Sequence, residues 1–254
     1  MAARKRIGLL VPSTNATIEP DFQMAAPRSA SFHFHHIWSD IDPRKPARSE
    51  KLGEEFLGAA RFLTPMKLDA LCLPQGNAAM EDQFSRIFEI PAVASSPSVL
   101  QALRRYEVKR LSIVTPYDEW VNTRLWEFFA NFSFTVLSSD GDPRMQATHL
   151  QDTNAQEPAA IAEFATSVCD ATADAIILSS SSWRALEAAD MIEQVTGKLV
   201  ITTNQATLWR ALVRAGVQEG VSGFGRLLRE LPPCEDTVGT ISAGNAHPSL
   251  VPAR

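Results

Sequence analysis

The sequence predicts an α/β protein of two similar halves, each a mostly parallel sheet flanked by helices, and three observations predict it. Short runs rich in Ile, Leu and Val alternate with amphipathic helical patterns, which is the rhythm of strand-loop-helix units. Such a rhythm implies a parallel sheet covered by helices on both faces. The same order of segments recurs after roughly a hundred residues, so the chain reads as one unit written twice. Finally, a 45% hydrophobic content over 254 residues is enough to build a proper core.

Three pairs of segments carry the repeat. RIGLLVPSTNATIEPDF, from Arg6 to Phe22, answers RLSIVTPYDEWVNTRLWEF, from Arg110 to Phe128: each is an apolar strand, a Pro, a polar turn and a helix start. LDALCLPQGN, Leu68 to Asn77, answers ADAIILSSSS, Ala173 to Ser182. IPAVASSPSVLQALRRYEVKRL, from Ile90, answers KLVITTNQATLWRALVRAGV, from Lys198, each giving a strand, a Ser/Thr turn and an amphipathic helix. The spacing places a first unit over 1–105 and a second over 106–217, with the segment 218–254 returning to complete the first. Within that tail, Gly223-Phe224-Gly225-Arg226 reads as a turn rather than a phosphate loop.

Composition excludes several classes of partner. A formal charge of −5, with no basic run beyond Ala3-Arg4-Lys5-Arg6, offers little to neutralise a phosphate backbone, so nucleic acid is not expected. The opening MAARKRIGLLVPS is basic, but Pro12 cuts its apolar run too early for a signal peptide, and no stretch reaches the length of a membrane span. A cytoplasmic location without a membrane partner is the expectation. The three cysteines, Cys72, Cys169 and Cys234, show no C-x-x-C spacing and are expected to be reduced, buried small hydrophobes. In FHFHHIW, alternation places His33 and His35 on one strand face and His36 on the other; with no evident third ligand, no metal site is expected.

Function concentrates where parallel strands end, because backbone N–H groups and helix N-termini point into a crevice there. The loops Ser13-Thr14-Asn15, Gln75-Gly76-Asn77, Tyr117 and Ser179 to Ser182 fall at such ends and form a polar, donor-rich cleft suited to an anion. Ser13 or Thr14 can cap the following helix, or the loop can present hydroxyl, amide and backbone donors to a carboxylate. The serine run can cradle an oxyanion, and it lacks the G-x-S-x-G setting of a serine nucleophile. A phenol at Tyr117 can donate to a developing enolate or act as a weak acid. The polar connection from His149 to Asn154, after the turn at Gly141 to Pro143, is of the kind that is often functional.

In their order, VPSTNATIEPDF, TPYDEWVNTRL, ADAIILSSSS, LVITTNQATLWRAL and GFGRLL resemble the maleate isomerase and arylmalonate decarboxylase branch of the aspartate/glutamate racemase superfamily, over nearly the whole chain. The resemblance implies two pseudo-twofold related Rossmann-like halves, no metal or organic cofactor, subunits that commonly pair as homo-oligomers, and chemistry next to the carboxylate of a small acid. By position, Asn15 and Tyr117 match residues that contact substrate, Asn122 falls in a Val-Asn pattern of the decarboxylases, and Asn204 lies in the fourth segment. Catalytic residues are expected at Tyr117, Gln75 and Ser180, and binding residues at Ser13, Thr14, Asn15, Gly76, Asn77, Asn122, Ser181, Ser182 and Asn204. The family's two cysteine positions read Gln75 and Ser180, or Ser181 for a loop one residue longer, and Cys72 stands three residues early, inside the strand. A thiol exchanges protons near neutral pH, whereas a Ser hydroxyl needs a separate base and Gln does neither. Three readings follow: an enzyme with lyase, decarboxylase or hydrolase chemistry; an isomerase or racemase using Glu19, Glu119 or a histidine; and a carboxylate-binding protein without turnover.

Overall fold

The structure, a computed structural model, describes residues 4–38, 49–146 and 150–234. The first unit runs β1 (Lys5–Pro12), α1 (Ile18–Met24), β2 (Ala30–Ile37), α2 (Ser49–Leu63), β3 (Ala70–Leu73), α3 (Ala78–Phe88), β4 (Ala92–Ala94) and α4 (Ser95–Arg105). The second runs β5 (Arg110–Thr115), α5 (Glu119–Asn131), β6 (Thr135–Gly141), α6 (Pro143–Gln146), a 3-10 segment (Leu150–Ala155), α7 (Pro158–Val168), β7 (Ala175–Leu178), α8 (Ala185–Thr196), β8 (Leu199–Thr202) and α9 (Thr203–Arg214). A short α10 (Arg226–Glu230) follows.

Each unit holds a four-stranded sheet, ordered β2-β1-β3-β4 in the first and β6-β5-β7-β8 in the second, with every pairing parallel. The two orders are the same once four is added to each number, so the repeat seen in the sequence is a repeat of topology. β3, β7 and β8 are buried along their whole length, as strands covered on both faces must be, while the edge strand β2 is half exposed.

The core has three parts. One cluster lies between the units and draws on both, from Ile7, Leu9 and Leu103 to Ile113, Ile177 and Leu212. A second, with Leu10, Phe56, Leu71 and Phe84, lies under α2 and α3 on the outer face of the first sheet. The third, with Ile161, Ile176, Trp183 and Ile192, does the same for the second sheet under α7 and α8. α4 and α9 pack against each other at the centre, and α9 reaches across to β3 and β4. Every residue of α9 from Asn204 to Leu212 is therefore buried.

The described part of the tail, up to Cys234, lies along α9 and β8. Gln205 Nε2 donates to the Phe224 carbonyl and Trp209 Nε1 to that of Pro232, while Ser29 Oγ donates to Glu219 of the tail from the first unit. Gly223 and Gly225 adopt positive φ, as the predicted turn requires, and a Cβ at Gly225 would stand 2.5 Å from Gln205 Nε2. Residues 235–254 of the expected C-terminal segment lie outside the described residues.

Candidate active site

In an order such as 2-1-3-4 the strand order reverses between the strands numbered 1 and 3, and a crevice opens at their carboxyl ends. Here those points lie between β1 and β3 and between β5 and β7. The loops that follow them are Ser13 to Asn15, Gln75 to Asn77, Tyr117 and Ser179 to Ser182.

Asn15 performs one of the tasks considered for its loop, the capping, and adds a contact to the other unit. Its Oδ1 accepts from the N–H groups of Thr17 and Ile18, so Asn15 rather than Ser13 or Thr14 holds the start of α1. Its Nδ2 crosses to the second unit and donates to the Ser181 carbonyl at 3.1 Å and to Ser181 Oγ at 3.2 Å. Ser13 and Thr14 are exposed at the rim, with the Ser13 N–H bound to the Ile37 carbonyl.

Tyr117 donates its phenolic O–H to Ser180 Oγ at 2.9 Å. Ser180 Oγ also accepts the Ser182 N–H at 3.2 Å. An oxygen with two such donors turns its own proton outward as a donor, and a phenol behind it strengthens that donation. Among the described residues the N–H groups of Ser180 and Ser181 find no backbone acceptor. The Tyr117 turn is built by Asn122, which is buried: its Oδ1 accepts from Thr115 Oγ1, and its Nδ2 donates to the carbonyls of Tyr117 and Asp118. Asn122 thus supports the loop with its own amide already engaged.

The Gln75 loop is shaped by packing. The Gly76 N–H returns to the Leu73 carbonyl, and a Cβ on Gly76 would stand 2.9 Å from Leu73 Cβ and 3.0 Å from Ala94 Cβ, so no larger residue fits without movement. Asn77 caps α3 by accepting from the Met80 N–H. Gln75 Oε1 is buried with no partner, an acceptor still to be satisfied.

Several contributors were not singled out from the sequence. Thr17 Oγ1 donates to Asn154 Oδ1 and to the Ser182 carbonyl, which also takes Thr153 Oγ1. Asn154 in turn accepts the Ala16 N–H, so the connection flagged in the sequence closes over the first-unit loop; His149 itself lies outside the described residues. Behind the serines, the buried Trp183 donates Nε1–H to Gln156, whose Nε2 donates to Asp142, whose carboxylate pairs with Arg144. Asn204, expected from the sequence as a binding residue, donates Nδ2 both to the Ser181 carbonyl and to Oδ2 of Asp21, which was not singled out. Polar side chains separated by more than a hundred residues in the chain meet here, which periodicity does not reveal.

None of the three free cysteines falls on these loops. Cys72 is fully buried inside β3, with its thiol pKa pushed up by burial, while Cys169 and Cys234 are half-buried rather than interior as expected. Along β2, His33 meets Ser31 Oγ, His35 stacks on Phe62 with ring centroids 5.1 Å apart, and His36 pairs with Glu19 at 3.1 Å. Among the described residues no group of three His, Cys, Asp or Glu could hold a metal ion, and no helix is long and apolar enough to cross a membrane.

Fold and loops together define a two-unit α/β protein in which the Asn15 loop of the first unit and the Tyr117 loop of the second both meet the serine loop. The chain belongs to the arylmalonate decarboxylase family, whose model matches residues 74–228. Among curated relatives it is similar to a maleate isomerase of Geobacillus stearothermophilus, 22% identical over 250 residues covering 90% of this chain and 98% of that one. It is also similar to the arylmalonate decarboxylase of Bordetella bronchiseptica, 29% identical over 159 residues, 61% of this chain and 64% of that one. A solved Pseudomonas putida maleate isomerase shares the fold at a TM-score of 0.78 and 21% identity, covering 90% of this chain and 99% of that chain.

Proposed function

We propose that the protein is a cofactor-independent enzyme acting on a small carboxylate, or a cyclic precursor of one, in the cleft between its units, with lyase, decarboxylase or hydrolase chemistry that uses no cysteine. The observation that supports this reading is the hydrogen bond from Tyr117 to Ser180 at 2.9 Å, because a hydroxyl backed by a phenol can take the role that the resemblance gives to a thiol.

In this reading the substrate carboxylate lies against the Ser180 and Ser181 N–H groups, with Ser13, Thr14 and Ser182 around it, while Asn15 and Asn204, whose Nδ2 groups both donate to the Ser181 carbonyl, hold that peptide in place. Negative charge that develops beside the carboxylate is stabilised by these fixed donors, which need no reorganisation during the reaction. The Ser180 O–H supplies a proton to the enolate-like centre, the Tyr117 O–H restores it, and the half-buried phenolate takes its proton back from solvent, a general-acid relay rather than a nucleophilic attack. Ser180 is poorly placed as a nucleophile, since its oxygen already accepts two hydrogen bonds. Gln75 offers its unpartnered Oε1 to a substrate hydroxyl or a water. Asn77, Asn122 and Gly76 act by shaping their loops.

Turnover of maleate and of aryl- and alkylmalonates by the purified protein tests the reading. Tyr117→Phe should lower kcat about a hundredfold or more while the variant melts as the parent does, and Ser180→Ala should lower it comparably. Full turnover by the Tyr117→Phe variant would remove the phenol from the mechanism. Ligand-dependent stabilisation with no product from any acid would instead support a carboxylate-binding protein.

A further inference from the structure

Asp21 lies on α1 of the first unit and is 1% exposed. Its Oδ2 accepts the Asn204 Nδ2 at 2.7 Å, and the same Nδ2 donates to the Ser181 carbonyl at 3.0 Å. That carbonyl also takes Nδ2 of Asn15, so two side-chain amides, one from each unit, hold a single peptide of the serine loop. An Asn side chain can sit in two orientations related by a half-turn, and only one of them puts Nδ2 against both of these acceptors. Turned over, Oδ1 would meet the Ser181 carbonyl, oxygen against oxygen, and the bond from Nδ2 to Asp21 Oδ2 would be lost. Asn204 Oδ1 is buried with no partner, so nothing on its other side holds the amide.

We propose that Asp21 is a positioning residue for the serine loop: it fixes the Asn204 amide, and through it the Ser181 peptide next to Ser180, without touching substrate. Its consequence for turnover rests on the function proposed above, while its effect on the loop is a property of the ligand-free protein.

The cost of the arrangement supports it. Burial pushes the Asp21 pKa up to about 8; the Asn204 hydrogen bond lowers it, Glu187 of α8 raises it and Arg184 lowers it. From β2, His36 is engaged with Glu19 on the same helix as Asp21. Arg210, on α9 with Asn204, is engaged with Glu81. A buried carboxyl whose side-chain hydrogen bond comes from a neutral amide adds little stability, and what it holds in place is the reason to keep it.

The test is hydrogen–deuterium exchange, read by mass spectrometry on the full, ligand-free chain over residues 179–184. Asp21→Leu should raise exchange there about tenfold, the loss of roughly one hydrogen bond, while β3 and β7 stay protected. Asp21→Asn keeps an oxygen that accepts from Asn204 and should retain the parental protection. Unchanged exchange in Asp21→Leu would overturn the proposal, as would equal increases in both variants or a rise spread over the whole chain. Should Asp21→Leu fail to fold, Asn204→Leu must give the same local increase, and its absence overturns the proposal equally. Failure of every acid to turn over would refute the proposed function and leave this exchange pattern standing, so the two failures are told apart.

Discussion

At the scale of single residues the site is a matter of which hydrogen bonds are already made. Ser180 accepts two and so has its proton to give, whereas Asn122 has spent its amide on the Tyr117 turn. Asp21 makes its own prediction for stability against pH. Its pKa is about 8 in the fold, against about 4 for an ordinary aspartate, so the stability linked to it is fully present below about pH 4 and is lost as pH rises towards and through 8. Asp21→Asn removes this dependence: urea melts at pH 5, 7 and 9 should show the variant gaining on the parent as pH rises, by a few kcal/mol at pH 9. Identical pH profiles would mean that the carboxyl is not buried as described. Tyr117, Asn15 and the serines were legible in the sequence because each follows an apolar strand at a recognisable turn. Asp21 was not, since an acid in the first turn of a short helix reads as an ordinary surface residue, and its partner is 183 positions away.

At the scale of elements, α9 shows how tertiary context overrides a local pattern. The sequence predicts an amphipathic helix here, but its position between the two sheets buries Asn204 to Leu212 on all sides, Arg210 included. Arg210 is 0% exposed and makes two hydrogen bonds of 2.6 Å to Glu81 of α3, which also accepts the Ala94 N–H. This pair ties the helix after the Gln75 loop to the helix that carries Asn204. Arg210→Met leaves the Glu81 charge without its partner and should cost about 3–5 kcal/mol of unfolding free energy, while the Arg210→Met, Glu81→Leu double variant should recover most of it. Chemical denaturation of the three proteins checks this; a double variant no better than the single would mean that the pair is more than a compensated charge. The long stretch around Arg210 with no other charge between Lys198 and Arg214 was the available signal in the sequence.

At the scale of the whole molecule, one topology is written twice, with a switch point in each sheet. That much was legible: each of the three matched segment pairs contains a pair of equivalent strands, β1 with β5, β3 with β7 and β4 with β8. The contacts that lock the units were not, because Asn15 to Ser181, Thr17 to Asn154 and Glu81 to Arg210 join residues whose proximity only the fold creates. A repeat within one sequence reveals what two units share, and the asymmetric contacts between them are what they do not share.

The central claim is that the cleft performs carboxylate chemistry without a thiol, and incubation with small carboxylates in D2O, followed by proton NMR, tests it most directly. Maleate, aspartate, aryl- and alkylmalonates, hydantoins and lactones report several reactions in one type of spectrum. The account predicts that at least one acid loses a carboxyl group, opens a ring or gains deuterium at the carbon beside its carboxylate, and that Tyr117→Phe suppresses the change. Every acid remaining unchanged while one of them raises the melting temperature would contradict it and leave a protein that binds a carboxylate without transforming it.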